Sequence, residues 1–573
     1  MPHGREENFE LSGTEDDDLD VSPDAPLLAS SQSHQQERPQ RRSRWLPLHQ
    51  HDSIDSIRTQ VIRITKPLRR VRLRYLLRRL VLGVILIYIL SCWIRGVPLF
   101  ASPLPAYTGP YDVGVVDLEV PLDEAITISD TLLKATKQPA FQVETVLFSI
   151  YYPAAKGSAS ARPRHRWIPK PISLTAKGYA QLAHIDNVVL RPMLTFMLWL
   201  VAGGIEIPAK VDVSILDTGN NESVLVPARG GGGFGDSFPV VVFSHGMASS
   251  RTDYTAYLGE LASRGVVVAA IEHRDGSSPG SVVRSPGNPD RAVHILRESD
   301  LITSQADGKM TTPQLKFEQL AFRDADIFEC IRILQDINTR GGQDVNDMNR
   351  LPNPEGETIS SWKGKLDFTR LITAGHSYGA TGALQALKSN ISSSSSSPNN
   401  IKNPSAGGII LDPGHSSGPL NPFISVPLLI LHSTTWSHPS PPNFYNSHLT
   451  HFTVVRNLAT SVMARTRQQA SWFLTSLGTA HPSITDAPLL EPLLLRLATG
   501  ASVDARVGLG EYIGVSEEFL RFLTDGERGG LLNEKVTHRE YGEWVSEERR
   551  KEFGKDMAKH WEIHVSPVDI NQL

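Results

Sequence analysis

Three Gly-X-Ser-X-Gly pentapeptides stand in this chain: Gly276–Gly280, Gly375–Gly379 and Gly414–Gly418. A serine hydroxyl attacks a carbonyl carbon only when a base takes its proton and the backbone lifts the oxygen clear of its neighbours. The pentapeptide can supply the second condition, because flanking glycines let a strand turn tightly into a helix with serine at the apex. Five residues alone are weak evidence, so context must choose among the three. Ser377 follows the apolar run Leu371-Ile-Thr-Ala374, and the small-residue stretch Ala380 to Leu387 follows it at once. The first match instead runs into Ser285-Pro-Gly-Asn-Pro289, and the third into Pro419 and Asn421-Pro422. Proline and glycine there indicate loops. Ser377 is the candidate nucleophile, and Ser416 ranks behind it.

A serine base is usually an imidazole oriented by a carboxylate. A strand, turn and helix around the serine implies the α/β-hydrolase fold, where chain order is serine, acid, histidine. The acid then belongs at the carboxyl end of a later strand. Asp412 directly follows Gly407-Gly-Ile-Ile-Leu411, whereas the next apolar run ends in His432-Ser-Thr-Thr-Trp436 and offers no carboxylate. Among the histidines after Ser377, His481 stands in a loop just after the apolar run Ser471 to Leu474. His438, His448 and His451 lie in a polar, proline-rich region, and His538, His560 and His564 in a charged tail where solvation is expected. Two backbone N–H groups must meet the developing oxyanion. Tyr378, next after the nucleophile, is one expected donor. Met247, in the loop after Phe238-Pro-Val-Val-Val-Phe243, is the other.

Those residues need a scaffold. Thr145–Pro153, Phe238–Phe243, Gly265–Ile271, Gly407–Leu411, Val426–Leu431 and Ser471–Leu474 are apolar runs of strand length. Helical periodicity over Thr252–Arg264 and Phe317–Ile337 alternates with them. That alternation predicts a mostly parallel central sheet covered by helices on both faces. Glu272-His-Arg-Asp275 suggests a hydrogen-bonded loop supporting the site. With no cluster at metal-ligand spacing beside it, neither a metal nor another cofactor is expected.

Several blocks resemble one family, the plasma and type II intracellular platelet-activating factor acetylhydrolases. They are Phe243-Ser-His-Gly-Met-Ala-Ser-Ser-Arg-Thr-Asp-Tyr254, Val268-Ala-Ala-Ile-Glu-His-Arg-Asp275, Gly375-His-Ser-Tyr-Gly-Ala-Thr381, Tyr151-Tyr-Pro153, Trp167-Ile-Pro169 and Ile410-Leu-Asp412. The resemblance covers Gly109 to Leu490 in patches. Tyr378 and Met247 depart from the Phe and Leu usual in the animal enzymes. The resemblance implies calcium-independent hydrolysis of short or oxidised sn-2 acyl chains on glycerophospholipids, with Asp412 and His481 completing the site. It also implies a lipid surface as partner, met by an apolar helix over Val188–Val201, for which a buried core helix is the alternative. Two other functions stay open: a general short-chain carboxylesterase or polyester-type hydrolase, and a non-catalytic interaction module.

The remaining sequence sets the frame. With 573 residues, two cysteines and a net charge of −4, the chain has no disulfide framework and no nucleic-acid footprint. Residues 1–65 are polar and expected to be disordered; Asp24-Ala-Pro-Leu-Leu28 within them has the form of a sorting signal. Residues 66–101 hold a basic run and then the uncharged Leu80–Ile94, expected to be a transmembrane signal anchor. The positive excess on its N-terminal side would leave the N-terminus cytoplasmic and the catalytic domain lumenal or extracellular, where Asn221 and Asn390 could be glycosylated. The catalytic domain is expected over 109–492, followed by a charged, helical extension over 493–573.

Overall fold

A computed structural model describes residues 76–92, 94, 100–217, 237–304, 308–388, 403–439, 448–466 and 469–568. The tail to residue 65, both sequons and the Gly230–235 and Ser392–397 runs lie outside these. By their contacts the residues fall into two units, Met1–Gly83 and Val84–Leu573. Residues 76–92 are helical, but among the described residues no helix is long and apolar enough to cross a membrane. The transmembrane anchor expected over 66–101, and the single-pass topology resting on it, are therefore not supported.

The second unit is built on one ten-stranded sheet. Its strands in chain order are β1 (Asp112–Thr127), β2 (Gln142–Ala154), β3 (Lys210–Val211), β4 (Phe238–Ser244), β5 (Val267–Glu272), β6 (Leu366–His376), β7 (Gly407–Leu411), β8 (Leu428–Ser433), β9 (Ser471–Ser476) and β10 (Trp561–Val565). Their spatial order is β10-β9-β8-β7-β6-β4-β5-β2-β1-β3. The six from β9 to β5 are mutually parallel, and β2 and β10 flank them antiparallel. The expected mostly parallel sheet is present.

Alternation along each strand explains the helices. The helices used below are α1 (Leu190–Ala202), α2 (Thr255–Ala262), α3 (Thr312–Arg340), α4 (Tyr378–Ala386), α5 (His451–Arg465), α6 (Pro492–Thr499) and α7 (Ala505–Asp525). Val241 and Phe243 of β4 share one buried cluster with α2 and α7, whereas Val240 and Val242 share another with α3. A third cluster joins α4 and α5 to Ile410, Ile430 and Phe473. Strands covered on both faces read as continuous apolar runs, which is why they were visible in the sequence.

The stretch beyond 492 belongs to this architecture. Helix α7 buries Leu509, Tyr512, Phe519 and Phe522 in the cluster that holds Trp472, and β10 pairs with β9. His564, expected to be solvated, is buried on β10 and shares a hydrogen bond with Thr475 Oγ1 (2.8 Å). Helix α1 is not a core helix: Met193, Phe196, Met197 and Trp199 are exposed, and Ala202 is its only buried residue.

Candidate active site

The site forms where β6 ends. Ser377 lies between β6 and α4 with φ 56° and ψ −122°, a conformation that costs a non-glycine residue about 1–3 kcal/mol and persists only where the surroundings over-determine it. Here they do. A Cβ at Gly375 would lie 2.3 Å from the Gly379 carbonyl oxygen, and one at Gly379 would lie 2.0 Å from that of Ser244. Strand, turn and helix press together too closely for side chains at either position.

Three of the predicted residues meet there. Ser377 Oγ lies 3.0 Å from His481 Nε2, and His481 Nδ1 lies 2.9 Å from Asp412 Oδ2. Asp412 also accepts from the Ser433 backbone N–H (2.6 Å) and hydroxyl (2.7 Å). Burial pushes the Asp412 carboxyl up to about 6, opposed by His376 and by the Ser433 bonds. Burial also pushes the His481 imidazole down to about 3. In this arrangement a neutral imidazole can take the serine proton while an ionised carboxylate holds its other nitrogen. Ligand atoms of His376, Asp412 and His481 lie within 4.8 Å of one another, close enough to hold a metal ion. His376 and His481 nitrogens and Asp412 oxygens already make the bonds just described and those below. Ser416, the alternative serine, sits in the loop after β7 with no helix behind it.

The loop after β4 passes over the nucleophile: a Cβ at Gly246 would lie 3.2 Å from that of Ser377. Met247, one expected oxyanion donor, follows Gly246 in this loop, and Tyr378, the other, follows Ser377 at the start of α4. The Gly246 N–H donates to Tyr254 Oη (3.0 Å), the Tyr254 hydroxyl donates to His376 Nδ1 (2.9 Å), and His376 Nε2–H donates to the His481 carbonyl (3.1 Å). One chain of bonds thus ties the loop after β4 to the loop that carries His481. Asp486 ties them again. Its carboxylate accepts from Thr255 N–H (2.9 Å), the Thr255 hydroxyl (2.7 Å) and Ala256 N–H (2.8 Å) at the start of α2, where a helix N-terminus favours negative charge.

Beneath the loop lies Arg323, fully buried. Its guanidinium donates to Asp275 Oδ2 (2.8 Å), the His245 carbonyl (2.6 Å), Ser244 Oγ (3.1 Å) and Ser277 Oγ (2.6 Å). It also lies 4.5 Å from the Tyr378 ring centroid. One side chain therefore supports the segments carrying both expected oxyanion donors. Glu272, His273, Arg274 and Asp275 are all buried, and Asp275 is bonded into this network. Ser244 Oγ shares a 2.7 Å hydrogen bond with His273 Nε2, and His273 Nδ1 lies 3.0 Å from Asp326 Oδ2. Sequence reasoning missed Arg323, Tyr254, His376 and Asp486 as site residues. His376 stood inside the Gly375–Gly379 pentapeptide and Tyr254 at the end of the Phe243–Tyr254 block, whereas Arg323 and Asp486 left no signal.

A cleft of about 910 Å³ opens beside the loop after β4, lined by Tyr179, Ser250, Arg251, Trp167 and Leu198 among others. Tyr179 joins it to the loop by donating to the Ala248 carbonyl (3.2 Å).

Residues 100–528 match the family model described as platelet-activating factor acetylhydrolase, isoform II. A putative phospholipase A2 of Schizosaccharomyces pombe is 30% identical over 292 residues, covering 48% of this chain and 57% of that protein. A platelet-activating factor acetylhydrolase of Cavia porcellus is 26% identical over 292 residues, covering 50% of this chain and 52% of that protein. The chain thus spans just over half the length of these relatives. A ferulic acid esterase from Streptomyces cinnamoneus superposes with a TM-score of 0.43 at 18% identity, covering 76% of this chain and 96% of that one. The family match spans nine of the ten strands of the sheet, the elbow, the loop after β4 and all three residues that meet at Ser377, and the chain belongs to the platelet-activating factor acetylhydrolase isoform II family.

Proposed function

We propose that the protein is a serine esterase that hydrolyses short or oxidised sn-2 acyl esters of glycerophospholipids without calcium. The observation that carries this reading is the Ser377–His481–Asp412 arrangement, with 3.0 Å and 2.9 Å contacts, inside the matched region. Ser377 Oγ attacks the ester carbonyl carbon and gives its proton to His481 Nε2. Asp412 holds the imidazolium, and the Met247 and Tyr378 N–H groups receive the oxyanion. Collapse breaks the bond to the glycerol oxygen, which leaves with the proton from His481. A water then loses its proton to His481, attacks the acyl-serine, and releases the free acid and Ser377.

The lipid surface enters through α1. Met193, Phe196, Met197 and Trp199 are exposed on it, and Leu493, Leu494 and Leu497 of α6 are exposed as well. Apolar helix faces of this kind bury into the headgroup and acyl boundary. A graded series of phosphatidylcholines with sn-2 chains from acetyl to palmitoyl tests the substrate. Rates should fall steeply with chain length. Equal rates throughout would remove the short-acyl assignment, and faster turnover of simple aryl esters at every concentration would favour a general carboxylesterase.

A further inference from the structure

We propose that Trp436 acts directly on the catalytic imidazole, its indole face stabilising the imidazolium that His481 becomes while it carries the serine proton. The inference rests on the reading of His481 as the base.

The geometry is specific. The Trp436 and His481 ring centroids lie 3.7 Å apart with planes 10° from parallel. The His376 ring lies 4.5 Å from the same imidazole but is tilted 34° to it, so only the indole presents a parallel face. Trp436 is fixed in turn: its Nε1–H donates to the Pro413 carbonyl (2.8 Å), next to the catalytic carboxylate. The same short segment does more. Ser433 donates twice to Asp412, and Thr435 Oγ1 accepts from the His481 backbone N–H (3.0 Å). The end of β8 has no carboxylate to offer, yet it touches both partners of the serine.

A cation over an indole face is attracted by the ring quadrupole, by about 0.5–1 kcal/mol when exposed and about 2 when desolvated. The groups around His481 leave that role to Trp436. Asp412 faces its Nδ1 and Ser377 its Nε2. Behind Trp436 stand His415 at 4.0 Å, His451 at 4.1 Å from His415, and His432 at 5.7 Å from His451. Burial keeps these imidazoles, and His376, neutral: His376 and His451 are pushed down to about 3, His415 to about 4, and His432 well below the ordinary range. Asp412 and the indole face are then what the imidazolium meets in a site that burial makes hostile to charge. A packing role alone would need no aromatic at 436, only volume.

The test is the pH dependence of kcat/KM of the full chain with p-nitrophenyl acetate. Trp436→Leu should lower the plateau about two- to thirtyfold. It should also move the acid limb to lower pH by about 0.5–1, because the protonated imidazole is destabilised in the free enzyme too. Trp436→Phe, which keeps an aromatic face, should restore most of both. Fluorinated tryptophans placed at 436 keep the shape while draining the ring quadrupole, so they decide the matter even if Trp436→Leu misfolds. Activity and acid limb should shift stepwise with fluorine number. A flat fluorine series, or a lowered plateau with an unmoved limb, overturns the inference and leaves Trp436 as packing. A wild type that is inactive and unlabelled by a fluorophosphonate overturns the reading of the site itself.

Discussion

Two Ser–His–Asp constellations among the described residues have nearly the same internal distances. Ser377–His481–Asp412 has contacts of 3.0 and 2.9 Å, and Ser244–His273–Asp326 has contacts of 2.7 and 3.0 Å. Their surroundings separate them. Ser377 sits on a turn at positive φ, and 27% of the His481 side chain is exposed. Ser244, His273 and Asp326 are each 0% exposed, so no ester can reach them. Burial pushes Asp412 up to about 6 but Asp326 up to about 8. At neutral pH the first carboxyl is ionised and can hold an imidazolium, whereas the second keeps its proton and cannot. The inner trio is structural: it braces the strand end from which the oxyanion loop departs. Distance makes a hydrogen-bonded trio, but access, charge state and nearby oxyanion donors make a site.

Exchange of the two serines gives the largest contrast. Ser377→Ala should lower kcat about 10,000-fold or more and abolish fluorophosphonate labelling. Ser244→Ala should keep labelling and stay within about tenfold in rate, losing about 1–3 kcal/mol of stability for the unpaired His273 nitrogen. Labelling lost in Ser244→Ala and kept in Ser377→Ala would invert the comparison. The carboxylates should diverge nearly as far. Asp412→Asn should cost about 1,000- to 10,000-fold in kcat by fixing the wrong tautomer of His481. Asp326→Asn replaces a protonated carboxyl by a near-isostere, and steady-state kinetics should register less than a tenfold loss.

Arg323 connects the two regions, and its removal should register as stability. Arg323→Met leaves Asp275 buried without its ion-pair partner, a loss of about 3–5 kcal/mol by urea denaturation; no change in the unfolding midpoint would refute its bracing role. The smallest effect is in pH. His481 must be neutral to act, so activity is present above its pKa and lost as pH falls through it. Because burial lowers that pKa, the acid limb of kcat/KM should have its midpoint below the ordinary imidazole value of about 6.5. A midpoint well above 7 would mean that the charged form is the favoured one.

The outer trio was legible in the sequence because its parts sit at predictable places. Ser377 lies between an apolar run and a small-residue helix, Asp412 directly follows Ile-Ile-Leu411, and His481 follows the last parallel strand. The inner trio was not legible, since Asp326 lies mid-helix on α3, with no strand end to mark it. The strand Trp561–Val565 was missed for a related reason: it follows charged segments, and pairing with β9, rather than its own pattern, makes it part of the sheet.

By itself the sequence determined the alternation of strands and helices, the elbow serine and the order of its partners, because apolar periodicity and glycine turns are local properties. It did not fix a membrane span, since the uncharged run is too short to settle the matter by composition. Only the tertiary structure decided which of the two serine trios is open to solvent, that Arg323 sits under both expected oxyanion donors, and that Trp436 lies flat on His481. Those depend on contacts between segments tens to hundreds of residues apart, and such contacts leave no spacing for a sequence to display.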